Sequence, residues 1–473
     1  MKRNTLYIII LLAALSGCKP QNAPEPDPST DSITGPSTHR DLDYLFDIDA
    51  VPSIKLTLTE ADWNTYLSNF DQWPDNSLYV PAAFEFTKEG VTYTRDSVGL
   101  RPRGNTTRRR PESSTGEMHR EGAPFHRAHF GIRFTQYVTG QRFFGMDRII
   151  LKWNATDPAY VREAFCYDLF RRFGVWSAPR ASFCRLSIHI KGDAKPVYMG
   201  VYTMIENPRK GWLDANYHEG HIPDKQGFLW KAGYGADLSS ADQSKMGIQD
   251  DYGKRYAYNL KSNKDSLAFA KAELCDFIKG MTPLKSGSTE LQTWLEKNVD
   301  MDLFLRAYAV NVMVGMWDDY WKNKNNFYFY FDSNHRFYFI PFDYDNTLGT
   351  AQERYGNPGT DNMLAWGSLE GDRILMRKVM SITAFKEQYK AYIKQLASSS
   401  DLMEPVAACT RITRLQGLIR AYVVNDTGED GKVEDKPAYW SSCPYYRLLT
   451  GNAGNGQSSE SNYFKTKAAA ITW

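Results

Sequence analysis

The spacing of apolar residues changes midway along the chain, and this change constrains the fold more than any other feature. In the first half apolar and polar residues alternate, as over residues 54–58, which is typical of strands. In the second half apolar residues recur at helical spacing, as over 267–278 and 302–316. Strands followed by helices predict an α+β fold, with a β-rich half, a mainly helical half and a cleft between two lobes. Ligands tend to bind in such clefts.

Further elements follow from the same spacing and from turn signals. Other strands of the first half are predicted at 80–86, 91–98, 128–134 and 148–153, with a hairpin at 185–190 and 197–205. Residues Thr59 to Asp62 look like a capping box that opens a short helix. A second helix is predicted to begin at Asp157-Pro158 and to end at Gly174. The second half adds helices at 291–297 and 385–396, and one aromatic hairpin at 327–331 and 337–342.

The N-terminus has the pattern of an export signal. Two basic residues precede an apolar run from Leu6 to Leu15, which is too short to span a membrane. The segment Leu15-Ser16-Gly17-Cys18 is similar to a bacterial lipobox, so we expect residues 1–17 to be a signal peptide and Cys18 to be lipidated. The alternative is an ordinary signal peptide near a cysteine. Residues 18–41 would be a Pro- and Ser-rich tether, holding residues 42–473 at an extracytoplasmic membrane, the outer membrane or cell surface.

The charge balance argues against a nucleic-acid partner. The chain has 57 Lys and Arg residues against 55 Asp and Glu residues. Loss of Lys2 and Arg3 with the leader would leave 55 against 55. Nucleic-acid-binding domains usually carry a clear basic excess, which is missing here. Local patches of either sign are still compatible with this total.

Cysteine and histidine patterns do not predict a metal site. The cysteines after residue 18 show no C-x-x-C spacing, so we expect neither zinc nor a disulfide. They are Cys166, Cys184, Cys275, Cys409 and Cys443. The densest histidine cluster lies in a polar segment containing Gly and Pro, which is typical of a solvated loop. Its members are His119, His126 and His129.

Oxygen-bearing side chains flank the aromatic hairpin of the second half. The acids Asp318 and Asp319 and the amides Asn323, Asn325 and Asn326 precede it, and the acids Asp343 and Asp345 follow it. In extended backbone the last two carboxylates would point to one side, where they repel unless a cation or proton intervenes. Mg²⁺ prefers carboxylate and amide oxygens. The pattern predicts a divalent-ion site, with a structural Asx-rich loop as the alternative.

Basic residues of the first half are candidates for binding an anion. Arg103 and Asn105 lie in a Gly-bearing turn whose amides could face an anion, although an ordinary polar turn explains this pattern better when it is taken alone. Lys152 and Lys231 each lie in an apolar strand, where an ammonium group needs an anionic partner from the protein or a ligand. Glu206, at the end of another apolar strand, is one candidate partner for Lys152.

Taken in order, these motifs resemble the CotH family, the spore-coat-type secretory protein kinases with an atypical kinase fold. The matching segments are Arg103 to Thr106, Lys152 with Asp157 and Arg162, Gly200 to Tyr202 with Glu206, Asp318 to Asn326, and Pro341 to Asp345. They follow the family's order over residues 42–400. Two departures are Phe327, where the family has Tyr, and the spacing of Trp321 to Lys324.

The resemblance implies ATP-dependent phosphoryl transfer with Mg²⁺ or Mn²⁺. It implies that Asp318 accepts the proton of the substrate hydroxyl, with Asp319 as the alternative. The implied metal ligands are Asn326, with Asn325 as its alternative, Asp343 and Asp345. Lys152 would contact phosphate, oriented by Glu206, and the implied nucleotide site also includes Arg103, Asn105, Arg162 and Lys231.

We therefore expect a CotH-like kinase that transfers the γ-phosphate of ATP to a Ser or Thr hydroxyl of a protein substrate outside the cytoplasm. Its β-rich lobe would span 42–235 and its helical lobe 236–473, with the catalytic and metal hairpin at 317–349. One alternative is a non-catalytic surface lipoprotein that binds glycan or protein on a degenerate kinase scaffold. Another is a glycan-active enzyme with paired carboxylates.

Overall fold

The structure is a computed structural model that describes residues 42–72, 78–155, 157–249, 255–351, 355–424 and 462–473. The predicted signal peptide, Cys18 and the tether lie outside the described residues, as does Cys443. Within the described ranges, no helix is both long and apolar enough to cross a membrane.

The described strands and helices have the following bounds. The strands are β1 Ser53–Thr59, β2 Val80–Lys88, β3 Val91–Pro102, β4 Phe130–Arg133, β5 Arg148–Lys152, β6 Ala181–Lys191, β7 Val197–Glu206, β8 Phe228–Ala232, β9 Met246–Gly247, β10 Tyr258–Leu260, β11 Phe327–Phe331 and β12 Phe337–Pro341. The helices are α1 Leu42–Leu45, α2 Glu60–Asp71, α3 Arg162–Arg172, α4 Lys210–His218, α5 Leu267–Met281, α6 Thr289–Asn298, α7 Met301–Met313, α8 Ile374–Met380, α9 Thr383–Ser398, α10 Pro405–Ile419 and α11 Tyr463–Ala469. The α+β class, with strands concentrated early and helices late, is confirmed.

The first seven strands close into a barrel, which the sequence did not predict. Their order is β1-β2-β3-β4-β5-β7-β6, and β1 and β6 close the barrel as a parallel pair. The barrel has a hydrophobic core of its own, in which Phe84, Phe134 and Phe143 pack with ring centroids 5.0–5.3 Å apart. Helix α2 follows β1 directly, and the Thr59 side chain accepts a hydrogen bond from the Asp62 amide, as expected of a cap.

A second sheet has the order β12-β11-β8-β10-β9. It contains the predicted aromatic hairpin, and all ten residues of β11 and β12 are buried. Both faces of these two strands are therefore covered, which explains why they read as continuous apolar runs rather than alternating ones. Strand β8 pairs with β11, so strand pairing continues across residue 235, where we expected one lobe to end.

Helix α3 connects barrel strands β5 and β6 and packs against β6 and α7, and its start was predicted four residues too early. It begins at Arg162, after the N-cap residue Val161. The carboxylate of Asp157 instead accepts hydrogen bonds from the amides of Ala159 and Arg162, so it stabilises a turn before the helix. The predicted end is confirmed, because Gly174 follows the C-cap with a φ of +81°.

The histidine segment was predicted as a solvated loop, and this is wrong for two of its residues. The His119 side chain is only 4% exposed and lies between Glu112 and Asp193, with nitrogen–oxygen distances of 3.0 and 3.1 Å. His129 is 3% exposed. Two carboxylates beside one imidazole make burial of His119 favourable, because the charged pairs satisfy its ring nitrogens. Among the described residues, Cys166, Cys184, Cys275 and Cys409 are buried and free.

Candidate functional site

Most of the predicted site residues line one cavity of about 860 Å³. It lies where the ends of β3 and β5 face β8 and the loops that follow α7 and β12. The predicted residues that line it are Arg103, Asn105, Lys152, Lys231, Asp318, Asn326, Asp343 and Asp345. Residues from five separate chain segments thus meet in one place, although the predicted members Glu206 and Arg162 do not line it.

Lys152 lies at the centre of a group of carboxylates. Its Nζ is 2.6 Å from Asp343, 2.8 Å from Glu163 and 3.1 Å from Asp345. Burial alone would lower the pKa of Lys152, but the three carboxylates outweigh burial and raise the pKa well above its ordinary value. Burial raises the pKa of Glu163 to about 8, but the ionised forms of Asp343 and Asp345 around one ammonium still leave an excess of negative charge. The arrangement therefore favours binding of an additional cation.

The glutamate that forms an ion pair with Lys152 is Glu163 of α3, not the predicted Glu206 of β7. Glu206 pairs with Ile149 across β5 and β7, whereas Lys152 pairs with Thr203, so the two charged residues lie about 10 Å apart along the sheet. Glu206 instead binds the amide and guanidinium of Arg180, at 3.0 and 3.4 Å. One signal in the sequence could have predicted Glu163. It is an acid in the first turn of the helix that follows the strand of Lys152.

Arg162 was predicted to bind the nucleotide, and its position does not support this. Its side chain is fully buried and pairs with Asp157, and its Nε donates to the Thr347 carbonyl at 3.0 Å. A buried guanidinium that is satisfied within the protein has no face left for a ligand. Arg162 therefore ties the start of α3 to the loop that carries Asp343 and Asp345.

The loop after β12 holds its two acids in a turn, not in the extended backbone that we expected. Strand β12 ends at Pro341, and Asp343 has a φ of +71°, which is uncommon for a residue with a side chain. The Asp343 amide donates to the Tyr167 hydroxyl at 2.9 Å, and the Tyr344 amide donates to Glu163 at 3.2 Å. These bonds hold the strained turn so that both carboxylates reach Lys152.

The two acids of this loop differ in their readiness to ionise. Burial raises the pKa of Asp345 to about 6. Burial would do the same to Asp343, but the neighbouring Lys152 ammonium outweighs it and lowers the pKa. Asp343 is therefore the stronger candidate for binding a cation at neutral pH, and Asp345 supports it.

Asp318 and Asp319 are adjacent but lie in different surroundings. Asp318 lines the cavity, and its carboxylate accepts hydrogen bonds from the side-chain amides of Asn323, Asn325 and Asn326, at 2.5–3.3 Å. Burial raises its pKa. Asp319 is 3% exposed and accepts from Asn311 and from the Lys322 amide, at 2.6 and 2.7 Å. The geometry thus favours Asp318 over Asp319 as the residue that meets a ligand.

The oxygen ligands fit a divalent ion held together with phosphate. Within the described ranges, no three His, Cys, Asp or Glu side chains form a ready-made metal site. Mg²⁺ does not need one, because it is usually bound by one or two carboxylates, water and substrate phosphates. Asp343 and Asp345 supply two carboxylates, and Asn326 directs its amide nitrogen to Asp318, which leaves its amide oxygen for a ligand.

His129 also lines the cavity and was missed as a site residue. Its Nε2 lies 2.9 Å from the Thr107 hydroxyl, and Arg103 donates its amide to the His129 carbonyl at 3.1 Å. Burial, together with the nearby Lys152 charge, lowers the pKa of His129 to about 3. The imidazole is therefore neutral at physiological pH. It fixes the loop that carries Arg103 and Asn105 without adding charge.

Lys231 reaches the cavity from β8, the central strand of the second sheet. Its Nζ lies 5.8 Å from the ring centre of Tyr328 and 5.4 Å from that of Phe342. Among the described residues, no carboxylate lies within ion-pair distance of it. Its aromatic neighbours offer only a weak partial charge. An anionic ligand in the cavity is therefore the partner that this lysine lacks.

The site residues named above lie within a region that matches a known protein family. A family model described as CotH kinase protein matches residues 100–460. The chain is 23% identical over 371 residues to spore coat protein homolog 1 of Rhizopus delemar, an alignment that covers 75% of this chain and 56% of that protein. It is 26% identical to the invasins CotH3 and CotH2 of the same fungus, over 41% of this chain and 30% of each. The chain thus spans about half or less of the length of these curated relatives.

Proposed function

The chain belongs to the CotH kinase family, and from this premise we propose that it is a protein kinase that transfers the γ-phosphate of ATP to a Ser or Thr hydroxyl of a protein. The observation that carries the proposal is the binding of Lys152 by Glu163 on one side and by Asp343 on the other. Protein kinases use the same set of parts, in which a strand lysine pairs with a helix glutamate and an Asp and an Asn hold the metal. A kinase-like arrangement of two lobes around the cavity is part of the proposal.

The metal ligands would be Asp343, Asp345 and the amide oxygen of Asn326. Mg²⁺ or Mn²⁺ would supply positive charge to the phosphoryl oxygens. Lys152 is held by Glu163 at 2.8 Å, so it can keep this partner and turn its other donors from the two aspartates to phosphate. Arg103, Asn105 and Lys231 would contact the remaining phosphate oxygens from the opposite wall of the cavity.

Asp318 would accept the proton of the attacking hydroxyl. Three amide groups hold its carboxylate in one orientation, and burial raises its pKa toward the range in which proton transfer is efficient. Asp319 accepts hydrogen bonds from Asn311 and from the Lys322 amide, and would stabilise the conformation of the same loop. Catalysis of phosphoryl transfer is mostly positioning and electrostatic stabilisation, so rigid support of Asp318 matters more than further reactive groups.

We place the protein at an extracytoplasmic membrane, anchored through lipid on Cys18, as the lipobox-like segment suggests. A second candidate function is a non-catalytic surface lipoprotein that binds protein or glycan on a kinase scaffold. The support for it is that two of the relatives are named invasins and that Tyr234, on the cavity lining, is 75% exposed. Both candidates share the anchor and differ in phosphoryl transfer.

The deciding experiment measures thermal stabilisation by ATP with Mg²⁺ and then transfer of labelled phosphate. A ligand at about 100 times its dissociation constant should add about 2.7 kcal/mol to the free energy of unfolding. Asp343→Asn should abolish the part of the stabilisation by ATP that depends on Mg²⁺. Asp302→Asn, on an exposed helix face, should leave that stabilisation unchanged. Asp318→Asn should keep the stabilisation and slow transfer at least about 100-fold.

Each outcome separates the candidates. Absence of any stabilisation by nucleotide in the unaltered protein would reject nucleotide binding. Stabilisation without transfer to the protein itself, to casein or to other test proteins would favour the non-catalytic candidate. Stabilisation that survives Asp343→Asn would reject only the assignment of the metal ligands.

A further inference from the structure

Five cations lie along one side of the cavity and outside it, in a group that we call the basic wall. The basic wall consists of Arg101, Arg103, Arg209, Lys231 and Lys261. Within the part of the chain that the structure describes, none of them forms an ion pair with a carboxylate. Some buried cations elsewhere are paired with a carboxylate, as Lys88 is with Asp47 and Arg180 with Glu206. Lys467 and Lys378 donate instead to the carbonyls of Pro358 and Leu284. The wall differs in that it gathers in one place five cations without a carboxylate partner among the described residues.

The cations come from four chain segments that the strand pairing brings together. Arg101 is in β3, opposite Gly131 of β4, and Arg103 follows β3 directly. A Cβ atom on Gly131 would lie 2.9 Å from Arg103 Cδ and 3.5 Å from Arg101 Cγ. The stems of both arginines therefore cross over this glycine, which leaves room for them because it has no side chain.

Two of the other cations come from the second sheet, and the third lies between barrel strand β7 and helix α4. Lys231 is in β8, and Lys261 follows β10, where its amide donates to the Leu229 carbonyl of β8 at 2.7 Å. Arg209 precedes α4. The charges of Arg209, Lys231 and Arg101 add to burial in lowering the pKa of Lys261 well below its ordinary value, so these groups lie within electrostatic range of one another.

Several donors of the wall have no acceptor. Nε and Nη1 of Arg209 and Nε of Arg101 are shielded from solvent, and within the described residues no hydrogen-bond partner lies near them. A shielded guanidinium nitrogen without an acceptor is unfavourable, and so is an accumulation of like charges. An anion bound against the wall would relieve both.

We propose that Arg101, Arg209 and Lys261, the cations of the basic wall that the proposed nucleotide site does not use, bind the acidic side chains of the acceptor protein, as carboxylates or as phosphates already attached to it. The proposal rests on the proposed kinase function, because the hydroxyl that reacts must approach Asp318 in the same cavity. Arg101 and Arg103 line that cavity, whereas Arg209 and Lys261 lie outside it, where residues flanking the reacting hydroxyl would run. Arginine can bind a carboxylate or a phosphate through two parallel hydrogen bonds.

The rings beneath the wall favour an acidic peptide over a single-stranded nucleic acid. Nucleic-acid surfaces of that kind offer aromatic faces on which bases stack. Here the guanidinium of Arg101 lies 5.0 Å from the ring centre of Tyr79, and Lys231 lies over Tyr328, which is 1% exposed. These cations cover the faces of Tyr79 and Tyr328, so neither ring is open to a stacking base.

The test uses two synthetic peptides, one with a single Ser flanked by Glu on both sides and one with Lys in place of every Glu. Binding to the folded protein is measured by fluorescence anisotropy without nucleotide, at low and at high salt. The Glu peptide should bind, its affinity should fall with salt, and the Lys peptide should not bind. The double variant Arg209→Gln/Lys261→Gln should weaken the Glu peptide about tenfold.

A charge-matched control is Lys195→Gln/Lys279→Gln, which removes two exposed lysines that are not part of the wall and should leave peptide binding unchanged. Arg209→Gln/Lys261→Gln removes repulsion between like charges, so we do not expect it to lower the thermal midpoint of the protein. If that variant does not fold, Lys261→Gln alone carries the test, with about a threefold loss expected. Stabilisation by ATP with Mg²⁺ should persist in every variant of this series.

The proposal is overturned if the Glu peptide binds no better than the Lys peptide, or if the control variant weakens it equally. It is also overturned if a single-stranded oligonucleotide binds the wall more tightly than the Glu peptide. Failure of the kinase proposal is a separate result, because it appears as absent stabilisation by nucleotide, whereas peptide binding is measured without nucleotide.

Discussion

The ammonium of Lys152 holds together residues that lie far apart in the chain. Its bond to Asp343 joins positions 191 residues apart, and its bond to Glu163 adds the first turn of α3. Glu163 is 4% exposed, and burial raises its pKa to about 8. Removal of the lysine would leave Glu163, Asp343 and Asp345 without the cation that they share, which is more costly than loss of an exposed ion pair.

We therefore expect Lys152→Met to weaken nucleotide binding at least about tenfold and to lower the thermal midpoint. The matched control is Lys88→Met, which removes another buried lysine and its bond to Asp47 in the barrel. It should lower the midpoint without changing nucleotide affinity. Isothermal titration of both variants checks this, and equal affinities for the two would show that Lys152 has a structural role only.

A second prediction at this scale concerns Asp319 and pH. Burial raises its pKa from 3.8 to about 7, so between these values the folded state binds more protons than the unfolded state. Stability must then fall as pH rises from about 4 to about 7, by at most about 4 kcal/mol for this group. Asp319→Asn keeps the acceptor for Asn311 and removes the titration.

The difference in unfolding free energy between Asp319→Asn and the unaltered protein should therefore grow in favour of the variant across that interval. Chemical denaturation at pH 4.5, 5.5, 6.5 and 7.5 measures it. A difference that stays constant with pH would mean that Asp319 titrates at its ordinary value in the folded state.

Strand β8 is the central strand of the second sheet and pairs with both β11 of the aromatic hairpin and β10. Its approach to β11 depends on Gly227, which precedes it. A Cβ atom there would lie 1.8 Å from the Phe331 carbonyl oxygen. Since the obstacle is backbone in a strand that is buried on both faces, neither side can move away without breaking the pairing of Phe331 with Phe228.

Gly227→Ala should accordingly destabilise the protein by about 3 kcal/mol or more. The control is Gly417→Ala, in the exposed part of α10, where nothing lies within 4 Å of the new Cβ. It should stabilise by about 0.5–1 kcal/mol, because alanine favours helix over glycine. Midpoints of urea denaturation compare the two, and an equal effect of both would contradict the tight approach at Gly227.

At the scale of the whole molecule, two hydrophobic cores meet around the cavity. One fills the barrel, and the other contains α3, α7, the aromatic hairpin and the helices that follow. The C-terminal helix α11 belongs to the second core. Tyr463 is fully buried, and its hydroxyl donates to the Met313 carbonyl at 3.0 Å, at the end of α7 and next to the loop of Asp318.

This contact predicts that the end of the chain supports the site from a distance. Tyr463→Ala should lower stability by about 3–5 kcal/mol and reduce phosphate transfer, because a cavity opens behind the loop of Asp318. Tyr463→Phe keeps the packing and should lose only about 1 kcal/mol. Denaturation and transfer assays of both variants test this. Unchanged transfer in Tyr463→Ala would show that the loop is independent of α11.

Local patterns in the sequence were sufficient for the α+β class, the aromatic hairpin and the acids and amides around it. Each depends on neighbours only a few residues away, as the buried runs of β11 and β12 and the side-chain types at Asp318, Asn326, Asp343 and Asp345 show. The order of these motifs along the chain also pointed to the family before any contact was known.

The tertiary structure alone decided which of these residues meet. It closed the barrel through the parallel pair of β1 and β6, replaced Glu206 by Glu163 beside Lys152, placed Arg162 behind the site and separated Asp318 from Asp319. The physical reason is the same in each case. Strand register and burial set which side chains share a space, and both arise from pairing between segments that are distant in sequence, about which local periodicity carries no information.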